Sequence, residues 1–250
     1  MKKRKNNSVI ILIFVILIII GVIWFFNSKE QERIIKIDES QLGKESESIS
    51  SLCFYRSIKN ENGFYNVAYL KSNILNSKIN GEFYHLPAET DSKIGTFEGE
   101  ITQKEGESIA SVWWNSLAEG MNIKEELTIK IREESATVGF GEMKDRGDGV
   151  YIYKDSSNLY FIENMPQIDC DILDEKLSVE KYLRENINKI ATNNEILGEN
   201  WYIVSMMINT STKRGEIIYE DGHIQNKANI SYSYNNITKE VKINSFEIIK

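Results

Sequence analysis

The sequence predicts a mainly β protein joined to an α+β unit and tethered by one N-terminal transmembrane helix. Three observations carry that expectation. Val9 to Phe26 is a run of apolar residues without a charge. From Ser51 onward, short segments with period-two alternation recur, separated by turn residues. A single amphipathic stripe, Val179 to Ala191, then precedes four more strand-like segments.

At about 1.5 Å per helical residue the apolar run is roughly 27 Å long, close to the hydrocarbon thickness of a bilayer. Met1-Lys-Lys-Arg-Lys places four positive charges before it. The positive-inside rule then keeps the N-terminus in the cytoplasm and puts the rest of the chain outside the plasma (inner) membrane. The partner implied is the lipid bilayer. A cleaved signal peptide is the runner-up, but the run exceeds the usual apolar core and no small-x-small site follows Trp24-Phe25-Phe26. The expected division is residues 1–7 as a basic tail, 8–26 as anchor, 27–50 as a polar linker, 51–165 as an antiparallel β domain and 166–250 as an α+β domain.

Removing the four basic residues of the tail leaves 26 basic against 37 acidic side chains, a net charge of −11. So acidic a body argues against nucleic acid and against an anionic membrane face. The two cysteines, Cys53 and Cys170, lie outside the cytoplasm on this reading, where thiols tend to pair. A bridge would staple the start of one half of the body to the start of the other. Two separate buried thiols are the alternative, because sequence does not show how closely their Cα atoms approach.

The strand-like segments run in order. Leu52–Ile58 is followed by a turn at Asn62-Gly63, then by Tyr65–Lys71 and by Ile74–Tyr84 with a tight turn near Asn76-Ser77. Ile94–Thr102 puts Gly95, Phe97, Gly99 and Ile101 on one face. Ser108–Leu117 carries Trp113 and Trp114. Glu125–Glu133 and Ala136–Met143 form a hairpin, and Val150–Lys154 and Leu159–Ile162 end the region. A closed lipocalin-like barrel would remove the edges of such a meander and is the preferred architecture, with an open two-sheet sandwich as alternative. Met165-Pro166 reads as the break. Ser178 is the expected N-cap of the helix, with Asp174 and Glu175 near its positive end. The helix then packs on a four-stranded antiparallel sheet in which Asp221-Gly222 marks a type I′ hairpin.

Several stretches resemble a family of uncharacterised bacterial envelope proteins. They include Gly81-Glu-Phe with Leu86-Pro-Ala-Glu, Trp113-Trp-Asn-Ser-Leu-Ala-Glu-Gly-Met, and Val138-Gly-Phe-Gly-Glu-Met with Asp145-Arg-Gly-Asp-Gly-Val-Tyr. Ile168-Asp-Cys-Asp and Tyr219-Glu-Asp-Gly-His-Ile complete the set. The resemblance implies an envelope location and no catalytic chemistry.

No residue pattern selects a catalytic set, a cofactor or a metal site. His85 and His223 have no His or Cys partner at ligand spacing. Asp169, Asp171, Asp174 and Glu175 surround Cys170, but the calcium-loop glycine is absent and the segment leads into a helix. Asp145 and Asp148 flank a glycine-rich turn whose Arg146-Gly147-Asp148 is a common tripeptide. If Ser108–Leu117 is a strand, Trp113 and Trp114 face opposite ways: one is core, the other faces a lumen or solvent, where a ring suits sugars or apolar ligands. With Glu119 and Arg132 they make the candidate ligand site. The expectation is a non-catalytic envelope module binding a small ligand or an envelope protein. The alternatives are an envelope hydrolase using carboxylates or a divalent cation, and a purely structural surface protein.

Overall fold

The computed structural model describes residues 49–191 and 200–249. The expected basic tail, membrane anchor and most of the linker lie outside the described residues. Among the described residues no helix is long and apolar enough to cross a membrane.

Seven strands form an antiparallel meander: β1 (Ser50–Lys59), β2 (Tyr65–Leu75), β3 (Lys78–Leu86), β4 (Lys93–Lys104), β5 (Glu107–Ala118), β6 (Met121–Arg132) and β7 (Ser135–Phe140). A short hairpin follows, β8 (Met143–Asp145) with β9 (Val150–Tyr153), and β9 lies parallel to the start of β6. Strand β10 (Tyr160–Ile168) then enters between β7 and β1 and closes an eight-stranded antiparallel barrel. The open sandwich is therefore not the architecture.

Alternation explains what is inside. Phe54, Leu70, Phe83, Phe97, Trp114, Leu127, Ile129 and Val138 point inward and are buried, and together they fill the lumen. Trp114 packs its ring 5.0 Å from that of Phe83. The wall turns its sharpest corner at β4, where Gly95 and Gly99 face inward. A Cβ on Gly95 would stand 2.0 Å from the carbonyl oxygen of Asn115, and one on Gly99 2.2 Å from that of Ser111. Only glycine lets β5 fold over β4 this closely.

Closure rests on a narrow seam. Strands β1 and β10 share only the pairs Cys53–Ile168 and Phe54–Gln167. Met165-Pro166 does not end the β region, as the sequence suggested, because β10 runs through it to Ile168. Gln167 N–H donates to Glu134 O on the β7 side. Its neighbour Pro166 therefore faces β1, where the ladder has already stopped and a missing N–H costs nothing. A bulge between Ile162 and Met165, with Glu163 at φ 61°, accommodates the same place.

Helix α1 (Cys170–Ile190) starts well before the expected Val179. Asp169, not Ser178, is the N-cap, and its carboxylate accepts from Asp171 N–H at 2.8 Å. Asp174 and Glu175 thus lie inside the helix. The sheet beyond has the order β11 (Tyr202–Asn209), β12 (Arg214–Glu220), β13 (Gln225–Tyr234), β14 (Val241–Ile249), all antiparallel. Val179, Leu183 and Ile187 bury on this sheet against Trp201, Tyr219 and Ile230. Leu173, with Leu177 beside it, covers Cys53, Tyr55, Val67 and Tyr69 on the barrel's outer face. The helix is a middle layer, and the described residues belong to one compact unit. The β12–β13 connection is not a two-residue type I′ turn. Gly222 alone has positive φ, and Asp221 Oδ1 accepts the N–H groups of His223 and Ile224.

A disulfide joins Cys53 to Cys170, with Cα atoms 5.2 Å apart. It ties the seam strand β1 to the start of α1, across a sequence separation of 117 residues. Replacing both cysteines by serine is expected to lower the unfolding free energy by about 2–5 kcal/mol. Denaturant titration with and without reductant checks this. An unchanged midpoint would mean that the seam holds without the staple.

Candidate functional site

The four residues expected to form a ligand site are not gathered. Trp114 is a core residue with no exposure. Trp113 stands on the outer face, half-buried, with Lys124 Nζ 5.7 Å and Arg146 Cζ 5.9 Å from its ring. Glu119 occupies the β5–β6 turn at φ 49°. Arg132 lies at the other end of β6, paired with Glu107, roughly 35 Å away at about 3.3 Å per strand residue.

The acidic candidates are each held locally. Asp145 accepts Gly147 N–H, and Asp148 pairs with Arg146 in the same turn. Asp174 takes Lys71 Nζ at 2.6 Å. Glu175 takes Lys213 Nζ at 2.6 Å and the Tyr232 hydroxyl at 2.7 Å, so burial and this carboxylate push the Tyr232 phenol well up. Among the described residues no group of three His, Cys, Asp or Glu is placed to hold a metal.

His85 turns inward at one mouth of the barrel, beside Phe83 and Phe140. Its Nε2 is 3.6 Å from Glu163 Oε1, while Arg56 reaches Glu163 Oε2 at 2.5 Å across the seam. The facing imidazole and the closer guanidinium hold the Glu163 carboxyl below the usual carboxylate range despite its burial. At the same mouth Lys93 pairs with the buried Glu125 at 3.0 Å. These pairs plug the lumen with charge over an apolar core.

Three surfaces are open to a ligand among the described residues; one, of about 520 Å³, lies between Tyr55–Ile58 of β1, Lys176 and Met207–Ser211. On the outer face of β2–β5 runs a shallow groove of about 450 Å³. Cross-strand register builds two polar rows there. One is Lys71–Glu82–Thr96–Asn115, continued by Lys124 on β6. The other is Asn73–Asn80–Glu98, with Trp113 opposite Glu98. A ladder of this kind follows from period two: where α1 does not cover the wall, what alternates away from the filled lumen is polar and lines up.

A further cleft, of about 210 Å³, lies where the barrel, α1 and β11 meet. Tyr65, Val67, Leu86 and Pro87 line it from the barrel, Glu180 and Arg184 from α1, and Ile203 to Met206 from β11. Tyr65 N–H donates to Ser205 Oγ at 2.6 Å, and Arg184 Nη1 to Ile203 O at 2.9 Å. Glu180 is buried, and its Oε1 has no hydrogen-bond partner among the described residues. Burial pushes its carboxyl up to about 7, against the pull of Arg184 and Lys176. Behind it, Lys176 lies over the Tyr55 ring at 4.6 Å.

Reading the sequence did not single out Glu163, Glu180 or Arg184. With the helix started at Val179, Glu180 reads as a first-turn acid. The available signal is the second stripe, Leu173, Leu177, Glu180 and Arg184, which shows once the helix begins at Cys170.

Because Glu180 keeps its proton in the folded chain to higher pH than in the unfolded one, stability falls as pH rises from about 4.5 to about 7. The penalty is absent below that window and complete above it, at roughly 3 kcal/mol. Glu180→Gln is expected to flatten this slope. Urea unfolding at pH 5 and pH 8 reads it, and an equal slope in both proteins would contradict the assignment.

Compared with protein-family models, curated proteins and solved structures, the chain finds no match.

Proposed function

We propose that this chain is a membrane-anchored extracytoplasmic binding protein without catalytic activity, and that it holds a polyhydroxylated polymer, a cell-envelope glycan, on the outer groove of its barrel. The observation that carries the reading is the filled lumen. With Phe54, Phe83, Phe97 and Trp114 buried inside, binding chemistry is left to the outer wall.

The groove offers the right groups for sugar hydroxyls. Asn80, Thr96 and Asn115 donate and accept, while Glu82 and Glu98 accept. Trp113 at its edge supplies an apolar ring for the C–H face of a sugar. The apolar run before the body and the positive charges preceding it support the anchored location. The Cys53–Cys170 disulfide supports an oxidising compartment.

The test is sedimentation of the full chain, in mild detergent, with insoluble cell-wall glycan. The wild type is expected to co-sediment. Asn80→Ala with Asn115→Ala, both at exposed positions, is expected to reduce the bound fraction severalfold with the unfolding midpoint unchanged. Failure of the wild type to sediment, or equal binding by the double variant, would overturn the reading.

A further inference from the structure

The four-stranded sheet has two edges, and they are finished differently. At β11 the helix reaches the backbone: Arg184 and Lys176 donate to Ile203 O and Ile208 O. At β14 no strand pairs with the far side among the described residues. Val241–Ile249 runs along that side without a proline. A long open edge is a template for another strand.

Register shows which groups point to the open side. Tyr232 N–H donates to Lys213 O, on the β12 side. Its neighbours Ser231 and Ser233 therefore turn their backbone to β14, where Ser245 and Lys242 oppose them. Val241, Ile243, Phe246 and Ile248 turn theirs outward from the sheet. The same four carry the apolar face. Val241, Ile243 and Phe246 pack on the helix-side core, with the Phe246 ring 5.7 Å from that of Tyr219. Ile248 lies opposite the buried Ala228. Helix α1 covers this row incompletely: none of the four is buried, and Ile248 is 39 % exposed.

On the outer face Ser231 Oγ lies 2.6 Å from Ser245 Oγ, and Ser233 Oγ donates to Asn244 Oδ1 at 3.5 Å. Asn244 and Ser245 are consecutive and yet share one face, because Asn244 is the extra residue of a bulge. Odd-numbered residues face the helix before it, and even-numbered ones after it. That change of phase makes the edge complementary to itself. Two copies set antiparallel about a two-fold axis bring Ile243 onto Phe246 and Val241 onto Ile248, helix side with helix side. On the outer side Lys242 meets Glu247 of the second copy. Both residues are exposed, and neither has an ion-pair partner among the described residues. An axis centred on Lys242 or on Glu247 would instead set like charges face to face.

We propose that the chain forms a homodimer through β14, paired with β14 of a second copy in this register, so that the two four-stranded sheets become one. About eight backbone hydrogen bonds form across the axis, and the two half-covered apolar rows close on each other. The interface uses no residue of the barrel groove.

The experiment is gel filtration with light scattering on the full chain in mild detergent, over a concentration series, together with cysteine trapping. The wild type is expected to pass from monomer to dimer as concentration rises. Lys242→Glu and Glu247→Lys should each weaken association roughly tenfold, and the double variant should restore it. Lys242→Cys mixed with Glu247→Cys under mild oxidation should give a covalent dimer, because facing positions on antiparallel strands lie within disulfide reach. Neither cysteine variant alone should do so, since position 242 would stand roughly 15 Å from its equivalent. A monomer at every concentration would overturn the proposal. So would a dimer indifferent to both charge reversals, which places association elsewhere, or covalent dimers from either cysteine variant alone.

Discussion

The structure depends on how its barrel is closed. Seven strands pair along long ladders, yet the last junction, β1 with β10, has two residue pairs. What is missing in backbone bonds is supplied by side chains on both sides of that junction. Arg56 reaches across it to Glu163, and Cys53 is bonded to Cys170 just past the end of β10. The second link also decides where the helix begins. Cys170 is the first residue of α1, so the bond that secures the seam lays the helix against the barrel wall. The rest of the chain follows that placement.

From there α1 serves two partners. Its Val179–Leu183–Ile187 stripe buries on the four-stranded sheet, and its Leu173–Leu177 end buries on β1 and β2. Lys181, Glu185 and Lys189 keep the solvent face of the helix. Lys176, Glu180 and Arg184, spaced four apart, fall between the two apolar stripes, in the angle between barrel and sheet. Lys176 and Arg184 each reach a carbonyl of β11, Ile208 O and Ile203 O. Lys59 of β1 adds a second tie through Glu216 of β12, which Lys227 of the neighbouring β13 also holds. The two halves are joined through polar groups as much as through core.

Much of this was legible. Period two located the barrel strands, and the four residues it set on one face of β4, Gly95, Phe97, Gly99 and Ile101, share the inner face. Trp113 and Trp114 do point to opposite sides. The failures have physical causes. Pro166 looked like a terminator because sequence does not reveal which side of a strand lacks a partner. The helix start was hidden because Asp169-Cys-Asp read as an acidic cluster, when one aspartate caps and the cysteine is pinned by a residue far away in sequence. Glu180 followed from that error. The convergence of β2, α1 and β11 on one cleft is set by the seam, which no local pattern encodes.

The filled lumen settles where chemistry has room. An eight-stranded barrel encloses space for its own side chains or for one small ligand. Inward-facing Phe and Trp on four different strands take that space, and charge pairs at Glu163 and Glu125 cover one mouth. The wall then works as a rigid frame whose outward residues are held in register. Rigidity of this kind favours recognition, because side chains on strands lose little freedom when a ligand arrives. The outer rows and the Glu180 cleft are both built on it. They differ in depth: the rows are shallow and polar, while the cleft buries a carboxylate. That difference in burial follows from where α1 is pinned: the helix walls the cleft, whereas strands alone line the rows.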